Sequence, residues 1–183
     1  MLYTGAVVTD RDYRIIYRQA LPLSVVQACY EHFSAVDGVA LFATTLDNDY
    51  SLSDRVGSST NILPAFTPME AGDLQNHEYV GVPLWIPDAQ RREAAHTWIL
   101  ERFGDSVDCH KNQDFLDIVP PACTKGSGLK HLVEHLQSEH PDTSLRCIRL
   151  VTRGTTSICT ATLTVRHLSA TPPKRSKPSP PIA

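Results

Sequence analysis

The sequence predicts an α+β fold in which one antiparallel sheet carries a single layer of helices. Short runs of β-branched and aromatic residues come in pairs separated by polar turns, which is typical of antiparallel hairpins. Longer segments between these pairs have apolar residues at the i, i+3, i+4 spacing of an amphipathic helix. A sheet covered on one face by such helices buries both apolar surfaces, so this arrangement is the one we expect.

The composition of the chain is that of a soluble globular domain. It has 183 residues, 42% hydrophobic residues and a formal net charge of −3. No apolar run approaches the roughly 20 residues that cross a bilayer, and the first residues lack the pattern of a secretion signal. Five cysteines without close pairing favour a reducing, cytoplasmic compartment. The bulk charge gives no reason to expect a nucleic acid or a membrane as partner.

The first half of the chain predicts a hairpin, a helix and a second hairpin. Strands are expected over residues 5–9 and 14–18, joined by a turn at residues 10–13. A helix is expected to begin at Ser24 as its N-cap and to stop before Gly38. Its apolar stripe consists of Val25, Val26, Cys29, Phe33 and Val36. Strands over residues 39–44 and 50–53 follow, and residues 54–76 are expected to be irregular.

The second half predicts a strand, a helix, a strand pair and another helix. Residues 79–86 are rich in β-forming residues, although Pro83 indicates an edge strand or a bulge. Asp88 is expected to cap a helix that ends at Gly104. Its inward side is formed by Ala95, Trp98, Ile99 and Phe103. The remaining elements are strands over 107–110 and 115–119, a helix over 125–136 and a strand over 145–151.

The composition changes at Asp142, which is the last of the 20 acidic residues. Residues 143–183 contain no Asp or Glu and are rich in Thr, Ser and Pro. They end with the basic run Lys174–Lys177 and a Pro-rich segment. Few of these residues could build a core, so residues 151–183 are predicted to form a disordered tail.

Two segments resemble the haloacid dehalogenase (HAD) superfamily, in particular its Cof-type phosphatases. Phe115–Leu136 reads FLDIVPPACTKGSGLKHLVEHL, which is similar to the return from cap to core in that family: an apolar strand, an acid, a Pro, a short loop, Lys-Gly and an amphipathic helix. Tyr3–Asp10 followed by Arg14–Tyr17 is similar to the hairpin after the family's second motif. The resemblance covers residues 1 to about 142.

The resemblance implies a fold, a reaction and one site residue. The fold would be a C2-type cap with a remnant of the Rossmann-like core, divided into a core-to-cap hairpin (1–20), a cap domain (21–114), a return to the core (115–150) and the tail (151–183). The reaction would be Mg²⁺-dependent hydrolysis of phosphate monoesters of sugars or small metabolites through an aspartyl nucleophile. Lys125 would be the family's third-motif lysine and the catalytic residue that this chain contributes. A surface lysine at a helix start is the alternative for Lys125.

The carboxylate motifs of the family are absent, so we expect this chain to be inactive alone and to bind no Mg²⁺. No Asp-x-Asp-Gly-Thr motif precedes Tyr3, and the acids of Asp47-Asn48-Asp49 are interpreted as a polar hairpin turn. The metal motif Gly-Asp-x-x-Asn-Asp should follow the Lys125 helix. The codons of Leu150–Ser157 can spell Gly-Asp-Ser-Gly-Asn-Asp-Ile one frame over, so we hypothesise a frameshift between about Asp142 and Leu150. Codons that cannot spell this motif would refute the hypothesis.

Two alternatives stay open from the sequence. The chain could be a non-catalytic α+β binding module whose basic, Pro-rich tail recruits a partner. His131 and His135 lie four residues apart and could ligate zinc, but a polar helix surface explains them better. The expected partner of the parent enzyme is a small phosphorylated metabolite. A cap without its core would expose apolar surface, so self-association on size-exclusion chromatography is also expected.

Overall fold

The computed structural model describes residues 3–57, 66–141, 144–150 and 160–166. The chain divides into two compact units, Met1–His135 and Leu136–Ala183. The first unit contains a six-stranded sheet and a two-stranded hairpin, and the second contains another two-stranded hairpin. None of the described helices is both long and apolar enough to cross a membrane.

The six-stranded sheet is the centre of the first unit. Its strands run in the spatial order β5-β4-β3-β6-β8-β7, and every neighbouring pair except β4–β5 is antiparallel. The strands are β3 (Ala40–Thr45), β4 (Asp49–Asp54), β5 (Thr67–Pro68), β6 (Tyr79–Trp85), β7 (Asp108–Asn112) and β8 (Phe115–Val119). The predicted strands of this region all form. Within the segment predicted to be irregular, β5 and a 3₁₀ turn over Ala71–Asn76 also form, and residues 58–65 lie outside the described residues.

The first helix, α1, spans Leu23–Phe33 and buries its predicted apolar stripe, apart from its last member. Val36 lies beyond the helix end and is exposed, because the helix ends five residues before Gly38. Ser24 was predicted as the N-cap, and this is wrong. Pro22 occupies that position and Ser24 lies in the first turn, since proline fixes the φ angle that a helix start requires.

The second helix, α2, spans Ala89–Phe103 as predicted. The side chain of Asp88 accepts a hydrogen bond of 2.7 Å from the backbone N–H of Arg91, which confirms the N-cap. Gly104 is the C-cap. Trp98 is half-buried and stacks on His32 of α1 with ring centroids 4.0 Å apart, so the two helices lie side by side.

Both helices pack on the same face of the sheet, which confirms the α+β class. Alternate sheet residues share one buried cluster with the apolar stripes of α1 and α2; these residues are Leu41 and Ala43 of β3, Val82 and Leu84 of β6, and Leu116 and Ile118 of β8. Because successive residues of a strand point to opposite faces, the residues between them lie on the face away from the helices. We call this second surface the open face, although its β3 part is covered, since Phe42 is buried and contacts Phe66 with ring centroids 4.5 Å apart.

Pro83 does not mark an edge strand or a bulge. Its strand β6 lies between β3 and β8, and the irregularity in the β3–β6 register falls at Thr44/Thr45 rather than opposite Pro83. The register of β3 against β6 omits Phe42 and Ala43, the positions facing Pro83 and Val82. Proline has no backbone N–H to donate. It is tolerated in this central strand because β3 and β6 are not paired at its position.

The remaining elements are two hairpins and one helix. Strands β1 (Val7–Thr9) and β2 (Ile15–Arg18) form the predicted first hairpin, preceded by a 3₁₀ turn over Tyr3–Gly5. Helix α3 spans Lys125–Glu139. Strands β9 (Ser144–Leu150) and β10 (Thr160–Arg166) pair antiparallel.

Two predicted boundaries change. Strand β8 pairs with β6 and β7 inside the six-stranded sheet, so the sheet extends beyond residue 114 to Val119. Within the predicted disordered tail, Thr160–Arg166 form strand β10, in which the β-branched Thr at every second position and Val165 favour extended backbone. Residues 151–159 and 167–183, including the basic run Lys174–Lys177, lie outside the described residues.

Candidate functional site

Lys125 is the first residue of α3, and its helix start is capped by side chains on both sides. The N–H of Ser127 donates to Oγ1 of Thr124 at 3.0 Å, and the N–H of Thr124 donates to Oγ of Ser127 at 2.9 Å. This reciprocal pair satisfies two backbone donors at the helix start. The first turn is therefore ordered by Thr124 and Ser127, which leaves the Lys125 side chain free of any capping role.

The loop before Lys125 is anchored to both the sheet and the hairpin. The N–H of Ala122 donates to Oδ2 of Asp108 at 2.8 Å, and Ala122 has the left-handed φ of 59°. The side-chain amide of Gln19 donates to the carbonyl of Pro121 at 3.1 Å. A non-glycine residue in this φ region is strained and stays there only when its surroundings hold it. These bonds fix where α3 begins.

The hairpin packs closely against the start of α3. Gly5 has φ of +95°, and a Cβ at that position would lie 2.8 Å from the carbonyl carbon of Thr124 and closer still to its oxygen. Tyr17 stacks on His131 with ring centroids 3.7 Å apart. The Tyr17 hydroxyl donates to Oε1 of Gln19 at 2.7 Å. His131 is thus part of the hairpin–helix contact.

Lys125 is half-buried and forms no ion pair within 4.0 Å in the part of the chain that the structure describes. An ammonium group at a helix N-terminus is next to the positive end of the helix dipole, which is unfavourable without an anion. Together with the N–H groups of the first helical turn that the Thr124–Ser127 pair leaves unused, it can hold an anion such as phosphate. The arrangement is suited to phosphate but does not by itself perform a reaction.

Asp47 lies in a hairpin turn and Asp49 begins the strand that leaves it, so both acids belong to the polar hairpin that the sequence predicts. The N–H of Thr45 donates to the carbonyl of Asn48 at 3.0 Å, and the N–H of Asp47 donates to Oγ1 of Thr45 at 3.2 Å. Strands β3 and β4 flank this turn with Thr44 opposite Asp49. The acids are therefore positioned by a local turn.

The open face carries a polar group that the sequence analysis missed. His110 of β7 lies directly opposite Asp117 of β8. Cys109 packs against the helix-side core, so its neighbour His110 points to the open face. The side chain of Asn112 donates to Oδ2 of Asp117 at 3.3 Å, and Nε2 of His110 is buried without a hydrogen-bond partner among the described residues. Strand alternation could have placed each residue on this face, but only the register shows which of them meet.

Burial raises the pKa of Asp117 above its ordinary value, while the Asn112 hydrogen bond and the nearby His110 oppose the shift. A carboxyl group whose pKa is raised on folding contributes stability at low pH and loses it as the pH rises through the folded-state pKa. We therefore expect Asp117→Asn to be more stable than the parent at pH 7, with the difference vanishing below about pH 4, near the ordinary pKa of Asp. Urea unfolding from pH 3 to 7 measures this, and a variant destabilised at pH 7 would contradict it.

With this geometry in view, comparison with known proteins identifies the family. A family model described as haloacid dehalogenase-like hydrolase matches residues 1–144. The chain belongs to the haloacid dehalogenase-like hydrolase family. The match ends inside the interval, Asp142 to Leu150, in which the frameshift was hypothesised. No curated protein compared with the chain is a significant match.

Solved structures, two of them described as HAD proteins, share this fold. TM0651 from Thermotoga maritima has 24% sequence identity and a TM-score of 0.59, with 74% of this chain and 52% of that chain covered. A HAD/COF-like hydrolase from Plasmodium vivax has 10% identity and a TM-score of 0.58, with 73% and 49% covered. The subclass IIB sugar phosphatase BT4131 has 16% identity and a TM-score of 0.52, with 68% and 48% covered. The chain spans about half the length of these structures.

The residues described do not fit a Mg²⁺ site of the HAD type. No group of three or more His, Cys, Asp or Glu side chains that could hold a metal occurs in residues 3–57, 66–141, 144–150 and 160–166. Asp108, the carboxylate that anchors the loop before Lys125, is occupied by the Ala122 N–H. Magnesium prefers near-octahedral oxygen ligands, and the described carboxylates do not provide such a set.

Proposed function

We propose that this chain is part of a Mg²⁺-dependent phosphatase that hydrolyses phosphate monoesters of sugars or small metabolites, and that Lys125 contacts the phosphoryl group. The observation that carries the proposal is the place of Lys125. It begins a capped helix in a HAD-family chain and has no ion partner in the described part of the molecule. The printed description of one structural neighbour, a HAD subclass IIB sugar phosphatase, supports the substrate class.

Within the proposal, Lys125 acts by charge. A phosphate monoester carries negative charge that accumulates near the nucleophilic carboxylate of the family, and an ammonium group aimed at that place offsets the repulsion. The cap pair Thr124–Ser127 and the Asp108–Ala122 bond hold the start of α3, so the backbone of Lys125 is positioned before the substrate arrives.

An assay of two proteins tests the proposal. The first protein is this chain. The second is extended upstream of Met1 and is translated in the shifted frame after the hypothesised frameshift. Both are assayed with a generic phosphate ester and Mg²⁺. We expect turnover only in the restored version, because a covalent route is abolished when its nucleophile is missing. Activity of this chain alone would contradict the assignment of the site.

Inactivity of a folded, restored version would favour the second candidate, a non-catalytic α+β binding module. The observation behind that candidate is the basic run Lys174–Lys177 in a Pro-rich segment.

Self-association also stays a prediction. The exposed large apolar side chains among the described residues are Tyr13, Ile15, Val36 and Leu100.

A further inference from the structure

We infer that Gln19 and Asp108 are positioning residues for Lys125. Together they hold one peptide group, the one that joins Pro121 to Ala122, in a strained orientation that sets the direction in which α3 begins. We call these two hydrogen bonds the clamp. The inference rests on the proposed phosphatase function, because it concerns the lysine assigned to the phosphoryl group, and it adds two residues that act on Lys125 through the backbone.

Both hydrogen-bonding atoms of this peptide group are engaged by side chains from different parts of the first unit. The carbonyl oxygen of Pro121 accepts from Nε2 of Gln19, the residue after β2, at 3.1 Å. The N–H of Ala122 donates to Oδ2 of Asp108, the first residue of β7, at 2.8 Å. The carbonyl and the N–H of a planar trans peptide point in opposite directions. A rotation of this group would therefore break both bonds of the clamp.

The clamped peptide is the central group of a β-turn that strains Ala122. The N–H of Cys123 donates to the carbonyl of Pro120 at 3.2 Å, which closes the turn. Proline fixes φ of Pro121 at about −65°, and Ala122 has φ of 59°, so the turn has the signs of type II. That type favours glycine at the position of Ala122, whereas type I needs no positive φ. The two types differ by a flip of the central peptide, so a turn without the clamp would relieve its strain by flipping.

Gln19 is itself held by hydrogen bonds on its other side. Its Oε1 accepts from the hydroxyl of Tyr17 at 2.7 Å and from the thiol of Cys123 at 3.5 Å. Its backbone N–H donates to the carbonyl of Ala6 at 2.9 Å. Because a carbonyl oxygen can only accept, the atom that faces Pro121 has to be the donor Nε2. The side chain of Gln19 is thus oriented for the clamp by the hairpin and the loop together.

The turn leads directly into α3, so its conformation affects Lys125. Cys123 is buried in a cluster with Val7 and Val80, and Thr124 caps the helix. A flip of the peptide before Cys123 would either withdraw its side chain from this cluster or redirect the first turn of α3. A displacement of about 1 Å in a reacting group can lower a rate about 10²-fold. The clamp therefore makes the place of Lys125 depend on the hairpin and the sheet at once.

Gln19→Glu removes one bond of the clamp with little change of shape. A carboxylate still accepts from Tyr17, but it cannot donate to the Pro121 carbonyl. In the isotope-labelled full chain, we expect the amide of Ala122 to exchange about tenfold faster and the amide signal of Lys125 to shift. The nuclear Overhauser effect between Hα of Pro121 and the amide of Ala122, which is strong in type II turns, should weaken. Gln27→Glu, at an exposed position of α1, is the matched control and should change none of these.

Ala122→Gly tests whether the clamp acts through the turn. Glycine adopts a positive φ without strain, so it should keep the type II turn without the clamp. Added to Gln19→Glu, it should restore the Overhauser effect, the slow exchange and the Lys125 signal. Gln113→Gly is the matched control, because Gln113 also has a positive φ, of 53°, but lies between β7 and β8. It should restore nothing.

The same variants are measured by steady-state kinetics in the restored, extended enzyme. Gln19→Glu should lower kcat about 10–10²-fold and leave KM within about twofold, because a displaced Lys125 stabilises the transition state less. Ala122→Gly should recover most of this loss, and Gln113→Gly should recover none. A contact that only stabilised the fold would not give this selective recovery.

Three results would overturn the inference: unchanged amides of Ala122 and Lys125 in Gln19→Glu, equal recovery by both glycine variants, or a lost Overhauser effect with unchanged kcat. Gln19→Met, which is uncharged and of similar length, is measured in parallel in case Gln19→Glu unfolds, and unchanged amides in a folded Gln19→Met count equally against the clamp. A restored enzyme without activity would sink the proposed function, and the Lys125 amide of this chain would then decide on the clamp. An active restored enzyme with a Lys125 amide that does not respond would keep the function and sink the clamp.

Discussion

Replacing Gly5 by alanine is expected to detach the first hairpin from α3 and to lower the free energy of unfolding by about 3–5 kcal/mol. Two effects add. Alanine is strained at φ +95°, and its Cβ would collide with the carbonyl group of Thr124. The neighbour is backbone at a capped helix start, so it cannot move aside as a flexible side chain could. Hydrogen exchange of the Val7 and Val8 amides and urea unfolding measure the change.

Gly57→Ala is the matched control for this prediction. Gly57 also has a left-handed backbone, with φ of +75°, but a Cβ there would meet nothing within 4 Å. The free energy of unfolding of Gly57→Ala should fall by about 1–2 kcal/mol, the ordinary penalty of that backbone conformation for an L-residue. The difference between the two variants isolates the collision with Thr124. Equal losses for both glycines would show that the close approach of the hairpin to α3 does not exist in solution.

In the restored, extended enzyme, Lys125→Ala is expected to lower kcat about 10²–10³-fold, the usual effect of removing one preorganised group that stabilises transition-state charge. The physical reason is the loss of a positive charge beside the phosphoryl group. Steady-state kinetics with a generic phosphate ester measure it. The effect should appear in kcat more than in KM, because the charge on the phosphoryl oxygens is redistributed in the transition state.

Lys130→Ala provides the control for Lys125. Lys130 lies on the same helix, is 74% exposed and pairs with Glu134 at 3.8 Å. An exposed i, i+4 pair contributes only about 0.3–0.5 kcal/mol, so this variant should keep its activity. If both lysines could be replaced without loss of activity, Lys125 would be a surface lysine at a helix start, and the proposed role would be wrong.

Local patterns in the sequence predicted most elements correctly, because those elements depend on neighbours along the chain. The cap at Asp88 and the stripe Val25, Val26, Cys29 and Phe33 are set by backbone donors and side-chain spacing within one helix. The chain turns at Asp47 because the N–H and hydroxyl of Thr45 both donate to the carbonyl of Asn48, three residues away. The place of Lys125 at the start of α3 follows from the same kind of local signal.

Two of the errors concern contacts between residues distant in sequence, and the third, the N-cap of α1, is local. Pro83 indicated an edge, yet β6 lies in the middle of the sheet, since the position of a strand depends on partners such as β3 and β8. Ser24 seemed the better cap by residue type, yet Pro22 begins the helix. The segment 115–119 was assigned to the core return, although its hydrogen bonds belong to the six-stranded sheet.

The sequence by itself determined the helices and strands, the family resemblance and the lysine at the start of α3, because these depend on side-chain pattern within short stretches. The tertiary structure decided the strand order, the pairing of His110 with Asp117 and the contact of Gly5 with Thr124. Each of these joins segments through register or steric fit, and register becomes fixed only when strands pair and bury a common face.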